Sequence, residues 1–308
     1  ESITLLNNYT IMNDANTEEG SERYILISSK EFEIIIVDNH SPNDINDFIK
    51  IADSRIKIIK REQAVDGKYN VGDCLSYATG KFAMICLDKD YIDGKYLEDF
   101  ISVISQVSDL CGGYCVHNKD YSDSKQTYSL KEKNTVKAFG FLSKHPSGDF
   151  YNTKILFEFL KNSGDSLKID PFSFDIYLAA CASKGKMLVY NKSLVFTERE
   201  DDRVLTKSFS FSKETNSIFF FPQNRVEQFL SYLGYLSRLG VDHLQKKAII
   251  KRMFHETAYY VTFGYQNIMK RDDVCNHYRL EKKIVDSGEM KENLDNLVFL
   301  SIKYISFN

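Results

Sequence analysis

Tryptophan is absent from the 308 residues; nothing functional is drawn from that, but other absences exclude more. No apolar run approaches the roughly 20 residues needed to cross a bilayer. Lys and Arg number 40 against 43 Asp and Glu, a formal charge of −3, so no cationic excess recommends nucleic acid as a partner. The opening Glu1-Ser-Ile-Thr-Leu-Leu has neither the basic flank nor the long apolar region of a signal peptide. Cysteine is limited to six scattered residues. Cys86 and Cys181 sit in apolar runs, where a small buried thiol is the ordinary reading. Cys111 and Cys115 have no nearby Cys/His pair to complete a zinc set. The expected setting is reducing and cytoplasmic. What remains is an ordinary globular composition, 43% hydrophobic and 27% charged, long enough for one large domain or two.

The first 110 residues alternate strand and helix signals. Strands are expected at Ile3–Leu6, Phe32–Val37, Arg55–Lys60 and Phe82–Leu87. Helices are expected at Thr17–Ser29, Ile45–Ala52, Tyr69–Ala78 and Tyr96–Val107. Such alternation argues for a mainly parallel sheet with crossover helices. Beyond it, Cys111–His117 reads as a strand, Asn118–Asn134 as a polar loop and Phe174–Ala182 as a helix. Short strands follow at Met187–Tyr190 and Ser193–Phe196. After Lys207 the pattern turns helical: Arg225–Leu239 sets Val226, Phe229, Leu230, Leu233 and Leu236 on one face, and further helical signals run through Asp242–Met269 and Leu280–Tyr304. Three segments are therefore expected: 1–110, 111–206 and 207–308.

The chemistry concentrates at strand tips. Phe82-Ala-Met-Ile-Cys-Leu is a continuous apolar run, the mark of a strand buried on both faces, and it delivers Asp88 and Asp90 to its carboxyl end. Phe32–Val37 likewise ends on Asp38. In open α/β sheets ligands bind beyond the carboxyl ends of the strands. Two acids placed there can hold a hard divalent cation that neutralises a bound diphosphate.

Four islands then carry a resemblance: Thr4-Leu-Leu-Asn7-Asn8-Tyr9-Thr10, Val37-Asp38-Asn39-His40-Ser41, Lys68-Tyr69-Asn70-Val71-Gly72 and Gly80-Lys81-Phe82…Leu87-Asp88-Lys89-Asp90. In order and spacing they resemble inverting family-2 glycosyltransferases of bacterial surface-polysaccharide type. The resemblance covers about Ser2 to Phe196. It implies a GT-A (Rossmann-like) α/β fold, a mainly parallel sheet flanked by helices, with a C-terminal helical extension outside the family core. It also implies a donor half (1–110) and an acceptor half (111–206). By resemblance, Asn8, Tyr9, Asp38, Lys68 and Asp88 face the nucleotide, Asp38 accepting an N–H from the base, which favours UDP. Asp88 and Asp90 hold Mn²⁺ or Mg²⁺. His145, Gly148 and Arg199 serve the substrate. The family's acceptor base maps to Asp175, with Asp170 as the second candidate; a shifted register would put Ser173 there instead. The family has glutamate before the base where this chain has Phe174, an acid in place of Tyr91, and arginine in place of Tyr69.

The resemblance further implies a nucleotide-sugar donor, a glycan or lipid-linked glycan acceptor, and work at the inner face of the cell membrane. Peripheral membrane contact would use Lys246, Lys247, Lys251 and Arg252 beside Ile249, Ile250 and Phe254. The apolar helix stripe of Arg225–Leu239 would pack on the enzyme body or on a second subunit. A nucleotidyltransferase would show a Gly-rich basic loop after the first strand, and Asn7-Asn-Tyr-Thr-Ile-Met-Asn-Asp has no glycine. A catalytically silent protein that binds a nucleotide sugar or glycan is the competing class.

Overall fold

The computed structural model describes residues 3–9, 32–42, 45, 53–65, 67–87, 90–118, 127–130, 133–141, 145–163, 173–196, 210–212, 217–218, 222–264, 270–272, 275–276, 291–292 and 294–299. Eleven strands are described: β1 (Ile3–Tyr9), β2 (Phe32–Asp38), β3 (Ile56–Lys60), β4 (Phe82–Leu87), β5 (Tyr91–Ile92), β6 (Leu110–His117), β7 (Tyr128–Leu130), β8 (Asp149–Asn152), β9 (Lys186–Phe196), β10 (Ser210–Ser212) and β11 (Ser217–Ile218). Seven helices accompany them: α1 (Gly67–Ser76), α2 (Gly94–Gln106), α3 (Lys133–Phe139), α4 (Thr153–Ser163), α5 (Ser173–Ala182), α6 (Pro222–Leu236) and α7 (His243–Tyr259), the last continued by a π turn at Tyr260–Gly264.

Nine strands form one sheet in the order β3-β2-β1-β4-β8-β6-β9-β5, with β7 on β9. Strands β3, β2, β1 and β4 are parallel neighbours, and β6 pairs parallel with β9. Strand β8 runs antiparallel to both β4 and β6, and β5 and β7 run antiparallel to β9. The parallel half was legible because strand and helix signals alternate along its sequence. The antiparallel insertions were not, because β8 is four residues long and carries no periodic signal.

Alternation along β4 explains the two-sided core. Ala83 and Ile85 join a cluster with α1, α5, α6 and α7, while Phe82 and Met84 join another with α2. Helix α2 starts on an N-cap, Asp93, whose carboxylate accepts the Lys95 N–H at 3.0 Å. It buries Leu97, Phe100, Ile101 and Ile104, each worth about 1.5–3 kcal/mol.

Several expectations are corrected. The polar stretch Asn118–Asn134 contains β7 and the start of α3, because β7 gains a partner in β9 that local sequence does not show. The two short strands expected after residue 186 are one strand, β9. A two-stranded hairpin, β10–β11, lies in the segment read as helical. The expected helices Thr17–Ser29 and, apart from Ile45, Ile45–Ala52 lie outside the described residues, as does most of Leu280–Tyr304.

Helix α6 packs on the body, but its inner face is not the apolar stripe alone. Phe229, Tyr232, Leu233 and Leu236 are buried together with Arg225 and Gln228, whereas Leu230 is exposed. On α7, Ile249 and Ile250 are buried and Phe254 packs against the core. Arg252 donates to the Lys137 and Ala138 carbonyls at 2.6 and 2.9 Å, capping the C-terminal end of α3. The apolar residues expected to meet a membrane therefore face the core. The exposed stripe of α7 is Leu244, Lys247, Lys251, His255 and Tyr259. Among the described residues no helix is long and apolar enough to cross a membrane.

Candidate active site

Three parallel strand tips define the site. Tyr9 is level with Asp38, and Asn8 with both Val37 and Leu87, so β2, β1 and β4 end along one sheet edge. With strands about 4.8 Å apart, the tips of β2 and β4 lie about 10 Å from each other, a span suited to a nucleotide. Asn8 and Tyr9 are thus placed at this edge, and Lys68 stands in the first turn of α1; their side chains lie outside the described residues. Asp88, Asp170 and Arg199 also lie outside them.

Asp38 is fully buried. Its Oδ1 accepts the Ser41 N–H at 2.8 Å, a return made possible by His40, whose φ of 63° is left-handed. Asn39 anchors this turn by bonding the Val65 backbone twice, at 2.7 and 2.9 Å. The second carboxylate oxygen, Oδ2, is buried and has no hydrogen-bond partner among the described residues. A buried acceptor left open is costly, so one oxygen shapes the turn and the other suits a donor from a ligand.

Asp90 follows the tip of β4, and its side chain is wholly inaccessible. Its Oδ2 accepts the Ser147 hydroxyl at 2.5 Å and pairs with His145 Nε2. Ser147 Oγ in turn accepts the Leu87 N–H at 3.0 Å, so one hydroxyl ties the β4 tip to the acid beyond it. His117 Nε2 lies 2.7 Å from the Ser147 carbonyl, and its ring meets His145 edge-on with centroids 5.7 Å apart. A carbonyl only accepts, so His117 carries its proton on Nε2. Gly148, at φ 88°, donates to the Ile85 carbonyl at 2.8 Å. A Cβ there would fall 2.8 Å from Val195 Cγ2. The left-handed φ and the close packing of the loop on β9 both call for glycine here.

His145, expected on the substrate, pairs with Asp90. Sequence reasoning missed Ser147 and His117. Ser147 sits two residues from a named histidine, and His117 ends a recognised strand, but neither position signals its partner. The Asp90 carboxylate, oriented by two side chains, has the hard-oxygen chemistry that Mg²⁺ or Mn²⁺ takes, and such orienting bonds are the usual support of a ligand carboxylate. Among the described residues no group of three or more His, Cys, Asp or Glu gathers to hold a metal.

Asp175 lies in the first turn of α5 and is buried, where the helix dipole favours its charge. Strand β8 links the two halves of the site: Ser147 and Gly148, just before it, meet Asp90 and β4, while Tyr151 faces α5. The Tyr151 and Tyr177 rings meet edge-to-face at 5.9 Å. Burial pushes the Tyr151 hydroxyl well above its ordinary range, helped by the fields of Asp149, Cys181, Tyr177 and Asp175. From α6, the Tyr232 hydroxyl donates to the Asp175 backbone carbonyl at 3.5 Å. None of the six cysteines is in a disulfide and all are buried, and burial pushes the Cys74 thiol up to about 12; a thiol so protonated is a poor nucleophile.

Residues 21–162 match the family model described as glycosyl transferase family 2. Among solved structures, Staphylococcus aureus TarS 1–349 in complex with UDP-GlcNAc is similar to this chain at 14% identity. The match covers 99% of this chain and 82% of that one, with a TM-score of 0.61. The same TarS fragment in complex with UDP is similar at 15% identity over 99% and 88%, with a TM-score of 0.56. Against a further TarS structure the figures are 13%, 99%, 49% and 0.61. No curated protein sequence matches the chain. The fold is that of the GT-A glycosyltransferases.

Proposed function

We propose that the protein is a metal-dependent glycosyltransferase that moves a sugar from a UDP donor to a glycan acceptor in cell-surface polysaccharide synthesis, with inversion. The observation that carries this reading is the pair of buried acids at one sheet edge: Asp38, whose Oδ2 has no hydrogen-bond partner among the described residues, and Asp90, braced by Ser147 and His145.

In this reading Asp38 accepts the N–H of the base, with Asn8 and Tyr9 beside it, and Lys68 and Arg199 serve the phosphates. Asp90 and Asp88 would hold Mn²⁺ or Mg²⁺. Such an ion, when bound, neutralises charge developing on the diphosphate leaving group as a Lewis acid. His145 and Ser147 keep the Asp90 carboxylate aimed. Asp175, or Asp170 in its place, takes the proton of the acceptor hydroxyl as it attacks the anomeric carbon from the face opposite the diphosphate. Segment 1–110 serves the donor, 111–206 the acceptor, and 207–308 packs on the body.

Calorimetric titration with a panel of nucleotide sugars, with and without Mn²⁺, tests the reading. The expected result is heat from a UDP-sugar that grows with Mn²⁺. No heat from any nucleotide sugar would overturn it. A silent binding protein is the second reading, favoured by Phe174 where the family carries an acid and by the burial of Asp175; donor binding without UDP release on any glycan would select it.

Contact with the inner membrane face would use the α7 stripe Leu244, Lys247, Lys251, His255 and Tyr259. Its mix of cations and apolar ends suits an anionic lipid surface. Pelleting with phosphatidylglycerol vesicles but not with phosphatidylcholine vesicles is the expected outcome, and pelleting with neither would remove this part of the proposal.

A further inference from the structure

The inner face of α6 carries a charge that its apolar pattern does not anticipate. Arg225 is 5% exposed. Its Nη1 donates to Gln228 Oε1 at 3.0 Å, and its guanidinium lies 4.1 Å from the centre of the Tyr260 ring. Burying a guanidinium is costly unless opposite charge or hydrogen bonds compensate. An amide oxygen and a ring face supply part of that compensation. Two turns along the same face, Tyr232 reaches the Asp175 carbonyl, so this side of α6 lies against the N-terminal turn of α5. Burial pulls the Arg225 guanidinium down to about 10, while the fields of Tyr260 and Asp175 act in the opposite direction.

Among the described residues, charged and titratable groups on three elements lie toward Asp175. Strand β8 presents Tyr151, with Asp149 two residues before it, and α5 itself presents Tyr177. Helix α6 presents Arg225 and Tyr232, and the field of Arg252 on α7 reaches Tyr232. In this set the tyrosines are neutral and Asp149 is of the same sign as Asp175. Arg225 is a cation whose field reaches Asp175.

We propose that Arg225 is a positioning residue, a cation supplied by the helical C-terminal segment that keeps the Asp175 carboxylate ionised and oriented for the acceptor hydroxyl. The proposal rests on the reading of Asp175 as the base. It makes the segment after residue 206 part of the acceptor-side machinery rather than a packing element alone.

The test uses Arg225→Gln, Arg225→Met and Arg225→Lys in the full chain. Removing an opposite charge makes a carboxylate harder to ionise. In the Gln and Met variants kcat for sugar transfer is expected to fall by about 10-fold or more, with the acid limb of its pH profile moved up by about one unit. KM for the donor should stay unchanged. Arg225→Lys should restore the position of the acid limb. Carbon-13 NMR of the Asp175 carboxylate, assigned by Asp175→Asn, reads the same coupling without any turnover, so it stands even if the transferase reading fails. If the neutral variants do not fold, the wild-type protein suffices: the Arg225 Nε–H signal should move with pH at the Asp175 midpoint and cease to do so in Asp175→Asn. An Asp175 midpoint unaffected by loss of Arg225, or an Arg225 signal blind to Asp175, would overturn the proposal.

Discussion

Asp175→Asn is expected to lower kcat for sugar transfer by about 10²–10⁴-fold, the usual contribution of a general base, while the donor binds as tightly as in the wild type. The split follows from location. Asp175 sits in the first turn of α5, near Tyr151 and Tyr177, whereas the residues proposed for the donor line the tips of β2, β1 and β4. Asparagine preserves shape but cannot take a proton from the acceptor. Steady-state UDP release combined with donor titration separates the two effects. An undiminished kcat would remove Asp175 from the mechanism, and the same measurement on Asp170→Asn would then show whether the base lies five residues earlier.

Asp90→Asn should have the next largest effect, a loss of about 10²–10³-fold in transfer together with loss of stimulation by Mn²⁺. The amide can still meet Ser147 and His145, so the loop 145–148 should keep its place on β4 and the thermal midpoint should change little. What disappears is the negative charge and its hard-oxygen chemistry. Full activity that remains Mn²⁺-dependent in Asp90→Asn would show that the cation is held elsewhere. Activity that is lost together with the folded state would instead assign Asp90 a structural role through the loop.

Much of the fold of the first 110 residues was legible in the sequence. Strand β4 is buried on both faces, so its sequence is apolar throughout and ends abruptly in acids. Strand β2 does the same ahead of Asp38. Parallel pairing of β2, β1 and β4 then brings both ends to one edge, because each crossover returns the chain to the same end of the sheet. His145 was marked by its loop, but its partner was not. The bond to Asp90 spans 55 residues of sequence, and no local period encodes it. Ser147 and His117 were missed for the same reason. Arg225 was passed over because an apolar stripe was taken as the whole inner face of α6, and a charged residue beside that stripe reads as solvent-facing until Tyr260 is seen to cover it. The reading of Ile249 and Ile250 as membrane-facing failed because a helix's apolar side faces whatever covers it, here the core shared with α3, α5 and α6.

By itself the sequence determined which chemistry is available: acids at the ends of buried strands, since burial of the strand and exposure of its tip both leave their mark in local composition. Tertiary structure alone decided how that chemistry is partnered. It set one oxygen of Asp38 on the Ser41 turn and buried the other with no hydrogen-bond partner among the described residues, fastened Asp90 to Ser147 and His145, and buried Arg225 on the helix whose Tyr232 meets the Asp175 carbonyl. Hydrogen bonds and charge pairs depend on proximity in space, and residues tens of positions apart meet only when the whole chain has packed.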